Sequence, residues 1–235
     1  MNWSVLVVFA IISGLVLWLG AKFFGKRGLV YVAVLEIVLS LTLNFSNAFI
    51  FGVPITGVLI FMLTAMFVIF LFYKKYTLKD VTKLLILTGS ALLVIGLSMA
   101  VCYMYVANLN SAWVVSLLPM IAILVSFGVA VTVGYLVDTN AKFVKDFTLR
   151  NLLSMACAVF SLILVYNLFA LTGTVSFGNF LLSLLISFIV SAIYMLILIA
   201  LDKFGLLVKT NELKNSVIES KQKSIKKEIN LDNDD

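Results

Sequence analysis

An all-α polytopic membrane protein is what this sequence predicts, on three observations. Of its 235 residues 63% are hydrophobic and 12% charged, where soluble domains run near half apolar and a quarter charged. The apolar residues gather in seven runs, each near the length of about 20 residues that crosses a hydrocarbon layer of about 30 Å. Lys and Arg fall in every second connection between those runs, the alternation that membrane insertion imposes.

The first run, Trp3–Phe23, is long, and no basic segment precedes it. It therefore reads as a retained span and not as a cleaved leader. Gly28–Phe45 follows after Lys22, Lys26 and Arg27. The short apolar stretch SNAFIFGV leads to a third run, Pro54–Tyr73. So short a connection leaves either neighbour room to be tilted or partly re-entrant. Lys74, Lys75 and Lys79 precede the fourth run, Leu84–Val106. The fifth, Ala112–Val137, is followed by Lys142, Lys145 and Arg150. Leu152–Leu171 and Phe177–Leu201 complete the set, with Lys203 and Lys209 behind them. The intervening connections near Asn47, Asn108–Ser111 and Thr172–Ser176 hold no Lys or Arg. Positive charge stays on the cytoplasmic side, so the expected topology is seven spans, N-terminus outside and C-terminus inside. The setting expected is a prokaryotic plasma membrane.

Residues 1–204 form the expected transmembrane domain and 205–235 a charged cytoplasmic tail. The tail mixes charges with scattered Leu, Val and Ile but keeps no heptad. It reads as a surface helix or as a dock for a cytoplasmic protein. Pro54 and Pro119 are placed in the first turns of their spans, where a missing N–H costs nothing. Small residues recur every four positions at Ser126, Ala130, Gly134 and at Ser183, Ser187, Ser191. Such stripes let helix backbones approach closely.

The net charge of +6 sits at span ends and in the tail, so no nucleic-acid partner is expected. The chain has no His, which removes His-based general-base chemistry and His metal ligation. Cys102 and Cys157 lie within apolar runs, as small hydrophobes do. With no Gly-rich phosphate loop, zinc spacing or nucleophile elbow, neither a metal, a cofactor nor an enzymatic activity is expected. The partners expected are the lipid bilayer, a small molecule, and a membrane or cytoplasmic protein reached through the tail.

Glu36 is the leading candidate for function. It lies roughly 12 Å from the Gly28 end of its span, near mid-membrane. A carboxyl at that depth is costly unless paired, protonated or facing a cavity. Asn167 and Tyr166 lie deep in the sixth run, and Asn44 lies near the outer end of the second. Glu36, Asn44, Asn167 and Tyr166 form the candidate substrate-binding set; the alternative for Glu36 is a carboxyl bonded to a neighbouring Ser, Thr or Asn.

Several short motifs occur in a characteristic order: FFGKRG after the first run, Phe51–Gly52, YKKYTLK at Tyr73–Lys79, LLP at Leu117–Pro119, GYLVD at Gly134–Asp138 and LRNLLS at Leu149–Ser154. In these the chain resembles the VUT (YhhQ-like) family of vitamin and queuosine-precursor transporters, from Phe24 to about Phe204. The resemblance implies a six-helix fold related to the substrate-binding subunits of energy-coupling-factor transporters, with the first run added. It also implies a planar, polar substrate of the 7-deazaguanine type. Where the family carries polar residues this chain has Ile69, Phe70, Lys74, Met120, Tyr135, Val159 and Leu162, and Asp138 is the main one retained. A buried purine-like ligand needs its edges hydrogen-bonded, so the resemblance carries the fold further than the substrate. Two functions are then expected: a transporter or substrate-binding membrane subunit for a small molecule, or a non-transporting scaffold that docks a partner through its tail.

Overall fold

A computed structural model describes residues 3–43, 47–50, 53–106, 112–141, 147–171 and 176–204. The chain order is α1 (Trp3–Thr42), β1 (Asn47–Ile50), β2 (Val53–Thr56), α2 (Leu59–Lys75), α3 (Leu78–Val106), α4 (Ala112–Asn140), α5 (Phe147–Leu171) and α6 (Phe177–Lys203). Five of these helices are long and apolar enough to cross a membrane. Large apolar side chains cover their outer surfaces: Ile11 and Leu15 on α1, Ile86, Leu93 and Leu97 on α3, Leu185 and Leu196 on α6 are all exposed. A water-soluble protein does not expose apolar surface on this scale. A lipid-facing one does.

α1 is two helices in one. Gly25 takes φ 53° and ψ −131°, a conformation closed to residues with a Cβ, and the chain doubles back there. An uninterrupted helix would put Ser13 and Glu36 roughly 35 Å apart; instead their side chains are hydrogen-bonded at 2.8 Å. Gly20 and Gly28 face each other across the two limbs. A methyl on Gly28 would strike the Gly20 carbonyl, and one on Gly20 would strike Val32. These two glycines allow the limbs to close as a helical hairpin. The first two predicted runs are its limbs, and the connection carrying Lys22, Lys26 and Arg27 is its bend.

α2 is the centre of the bundle. Every residue from Leu59 to Ile69 is buried, with Leu71 and Phe72. A helix buried on every face has no solvent or lipid side to present, and α2 packs on α1, α3, α4, α5 and α6. At 17 residues it spans roughly 25 Å.

The third predicted run, Pro54–Tyr73, needs correction at its start. Pro54 is in strand β2, paired with Phe49 of β1 in an antiparallel ribbon that runs from Asn47↔Thr56 to Ile50↔Val53. In a two-stranded ribbon both strands are edges, where a residue lacking an N–H is tolerated. Val53, Ile55 and Thr56 are buried, so protein covers β2, as backbone outside a helix requires at membrane depth. Pro119 is likewise not in a first turn, since α4 begins at Ala112. α3 starts at Leu78, before its apolar run, because Thr77 closes its first turn: the Thr77 hydroxyl bonds the Asp80 carboxylate at 2.7 Å and the Thr77 carbonyl accepts from the Asp80 amide.

Both small-residue stripes are buried. Gly134 lets α4 meet α2 and α5, since a methyl there would strike Phe70 and press on Ala158. The Ser154 hydroxyl of α5 donates to the Gly134 carbonyl at 2.6 Å. The charged tail from residue 205 lies outside the described residues, as do Asn108, Asn110, Lys142 and Lys145.

Candidate functional site

Side-chain polarity along the bundle is sorted by depth. At one end of the bundle Tyr166 of α5 donates to Thr56 of β2 at 3.1 Å. Eight residues further along the chain, Thr64 stands in the middle of α2 and joins a second polar group. At the opposite end the helix termini carry ion pairs. Lys26, at the bend of α1, meets Asp80 of α3 at 2.6 Å; Lys75 of α2 meets Asp202 of α6; Arg150 of α5 meets Asp138 of α4 at 3.1 Å. The basic connections of the sequence thus converge on one end of the molecule.

The middle tier is the candidate site. Glu36 is fully buried. Its Oε1 accepts from Ser13 across the α1 hairpin at 2.8 Å. The Ser13 and Thr64 hydroxyl oxygens lie 2.7 Å apart, and Thr64 lies 2.7 Å from the Tyr194 hydroxyl of α6. Each hydroxyl has one proton to give. Ser13 gives its proton to Glu36, so Thr64 donates to Ser13. Tyr194 then donates to Thr64. The close approach of Thr64 to the Ile60 carbonyl, 3.0 Å, takes a secondary share of the same proton. An unbroken series ending on the carboxyl runs Tyr194 to Thr64 to Ser13 to Glu36, with the Thr64 proton shared between Ser13 and the Ile60 carbonyl.

The other carboxyl oxygen, Oε2, has no hydrogen-bond partner among the described residues. No described Lys or Arg is paired with Glu36; the ion pairs described are all at the bundle end. An ionised carboxylate taken from water without a cation is strongly disfavoured. The arrangement can hold a proton, or accept and donate hydrogen bonds to a polar group brought against Oε2. Among the described residues no group of three or more Cys, Asp or Glu forms a metal-binding set.

The candidate set of the sequence is only partly brought together. Glu36 is in the network, bonded to a neighbouring Ser. Tyr166 is buried but bonds Thr56 at the end of the bundle away from the ion pairs. Asn167 is buried and one N–H of its side-chain amide donates to the Ile163 carbonyl of its own helix at 2.9 Å. Asn44 lies outside the described residues. Ser13, Thr64 and Tyr194 are not singled out by the sequence. Their signal is depth: Ser13 and Glu36 stand almost equally far from Gly25, and Thr64 is the deepest hydroxyl of its run.

Of the positions at which the VUT resemblance expects polar groups, Phe70, Lys74, Tyr135 and Asp138 line one cavity of about 160 Å³ near the ion-paired end. Glu36 does not line it. The fold and site together describe a helical membrane protein with a buried acidic centre. No protein-family model, curated protein or solved structure matches the chain.

Proposed function

We propose that this chain is a seven-span membrane transporter, or the substrate-binding membrane subunit of one, for a small molecule that engages Glu36. In this reading the two limbs of α1, with α2 to α6, make the seven spans, the N-terminus is outside and the cytoplasmic end is the one bearing the ion pairs. The observation that carries the reading is the Glu36 carboxyl. It is fully buried, held at one oxygen by Ser13 and unpartnered at the other among the described residues. A carboxyl needed only for packing is costly to keep at mid-membrane, and charged or protonatable groups at that depth mark substrate and ion pathways.

The hydroxyl series gives the carboxyl a set orientation. A substrate donor bonding Oε2 completes the acceptor capacity of Glu36. A proton taken up by Glu36 removes that acceptor, so binding and proton occupancy oppose each other at one atom. That opposition is the elementary coupling a transporter needs. The 7-deazaguanine class implied by the VUT resemblance has ring N–H groups suited to such an oxygen. This chain supplies one carboxyl edge at the centre where that class needs several, so a ligand with a single polar edge fits the site better.

Native mass spectrometry of the protein gently extracted from its own membrane tests the reading. A reproducible small-molecule adduct is expected on the native chain and lost in Glu36→Gln. An adduct retained equally by both removes Glu36 from the site. A stoichiometric protein partner with no small molecule establishes the scaffold function instead.

A further inference from the structure

We propose that the ion-paired end of the bundle holds an anionic membrane lipid, with its head in a charged cavity and one acyl chain in the groove between α5 and α6. Two hollows meet there. The first, of about 160 Å³, is bounded by α2, α4, α5 and α6, and its polar lining includes Tyr73, Lys74, Tyr135, Asp138, Asp202 and Lys203. The second, of about 470 Å³, runs between α5 and α6 past Val159, Phe160, Phe188, Ala192 and Met195. Leu152, Met155 and Ile199 line both, so the two adjoin along α5 and α6, one suited to a head and the other to a tail.

Charge decides what head it takes. Asp202 and Asp138 line the cavity, but each already has a cation: Lys75 for the first and Arg150 for the second. Lys74 and Lys203 also line it and form no ion pair among the described residues. The pairs cancel and the two lysines remain, leaving a cavity that favours an anion. Tyr73 and Tyr135 line the same cavity, with ring centroids 6.2 Å apart, and such aromatics sit at the headgroup level of a bilayer. Basic pockets between helix ends are how membrane proteins hold anionic head groups.

The groove selects for an acyl chain behind that head. From Ile199 to Phe188 it runs along α6 for roughly 16 Å, and its lining is almost wholly apolar. A soluble anion would leave that length unused. The one polar exception is the Ser191 hydroxyl, fully buried and without a hydrogen-bond partner among the described residues. Glu36 lines neither hollow, so this site is separate from the transport centre proposed above.

The test uses the full chain in detergent, relipidated with equal amounts of phosphatidylglycerol and phosphatidylcholine, with retained lipid counted by native mass spectrometry. The native chain is expected to prefer phosphatidylglycerol by roughly tenfold, since each basic residue near a membrane surface favours anionic lipid. The Lys74→Ala/Lys203→Ala variant is expected to lose that preference. Ala192→Trp, which fills the groove from the exposed side of α6, is expected to reduce retention of either lipid. Equal retention of the two lipids by the native chain overturns the proposal without recourse to any variant. Displacement of phosphatidylglycerol by millimolar glycerol phosphate also overturns it, because the site would then take a soluble anion and leave the groove unoccupied.

Discussion

Thr64 is the residue on which the buried network turns, because it links α1 to α6 through α2. Its hydroxyl lies 2.7 Å from both the Tyr194 and the Ser13 hydroxyl oxygens. Thr64→Val keeps the shape and removes both of these bonds from the buried network. Inter-helix hydrogen bonds in membranes contribute about 0.6–2 kcal/mol each, so a loss of about 1–3 kcal/mol is expected in denaturant unfolding from micelles. Thr88 is the control: it too is buried, but it bonds only carbonyls of its own helix, at Leu84 and Leu85, and Thr88→Val should cost little. Equal losses at the two sites would show that the network contributes nothing beyond local bonding. At this scale the sequence was legible for Glu36, whose depth comes from counting residues. Its partners were not legible, because which hydroxyl meets which carboxyl depends on the hairpin at Gly25 and on the position of α6, and neither is a local property. Asn167 is a second deep group whose local bond the sequence does not show. One N–H of its amide is bonded to the Ile163 carbonyl of its own helix, which leaves the second N–H and the amide oxygen to other partners.

Among the elements, the α1 hairpin positions the site and Gly25 permits it. A Cβ at φ 53° and ψ −131° is strained at a cost of order 1–3 kcal/mol. Gly25→Ala should therefore lower the melting temperature and loosen the Ser13–Glu36 contact, while Gly14→Ala, where a methyl meets nothing within 4 Å, should leave the melting temperature unchanged or raised. A melting temperature unaltered by Gly25→Ala would mean that the bend needs no glycine. The two limbs were legible as separate runs because basic residues divide them. Helix positions came from the length of the apolar runs. The ribbon at Asn47–Thr56 was not legible, because its residues are as apolar as those of a span and its pairing is only four residues long. Nor was the central place of α2. Hydropathy cannot distinguish a helix buried in protein from one buried in lipid, since both are apolar on every face. The absence of any polar side from Leu59 to Phe72 is compatible with either.

At the scale of the whole molecule, every ion pair described joins different helices at the same end: the α1 bend to α3, α2 to α6, and α4 to α5. The opposite end has the uncharged ribbon and the Tyr166–Thr56 bond. One pole is therefore ionic and the other, among the described residues, is not. The sequence carried this polarity as alternating basic connections, and the fold collects them. Retention of Lys and Arg on the cytoplasmic side predicts that the ionic pole is the inner one, and labelling decides it. In a Cys102→Ser/Cys157→Ser background, Asn108→Cys should react with a membrane-impermeant maleimide added to intact cells, and Lys142→Cys should react only after lysis. The reverse pattern would invert the molecule and place the lysine-lined cavity at the outer leaflet. Reaction of both from outside would break the strict alternation of the connections and with it the seven-span count. The expected pattern has a consequence for Glu36. Lying midway between the poles, it would have access to either side only through motion of the helices that meet it, and the α1 hairpin and α6 are the two that carry its network to the lipid-facing surface. Glu36→Gln should thus abolish substrate retention without altering the labelling of either cysteine, because the carboxyl acts at the centre and the poles set the topology.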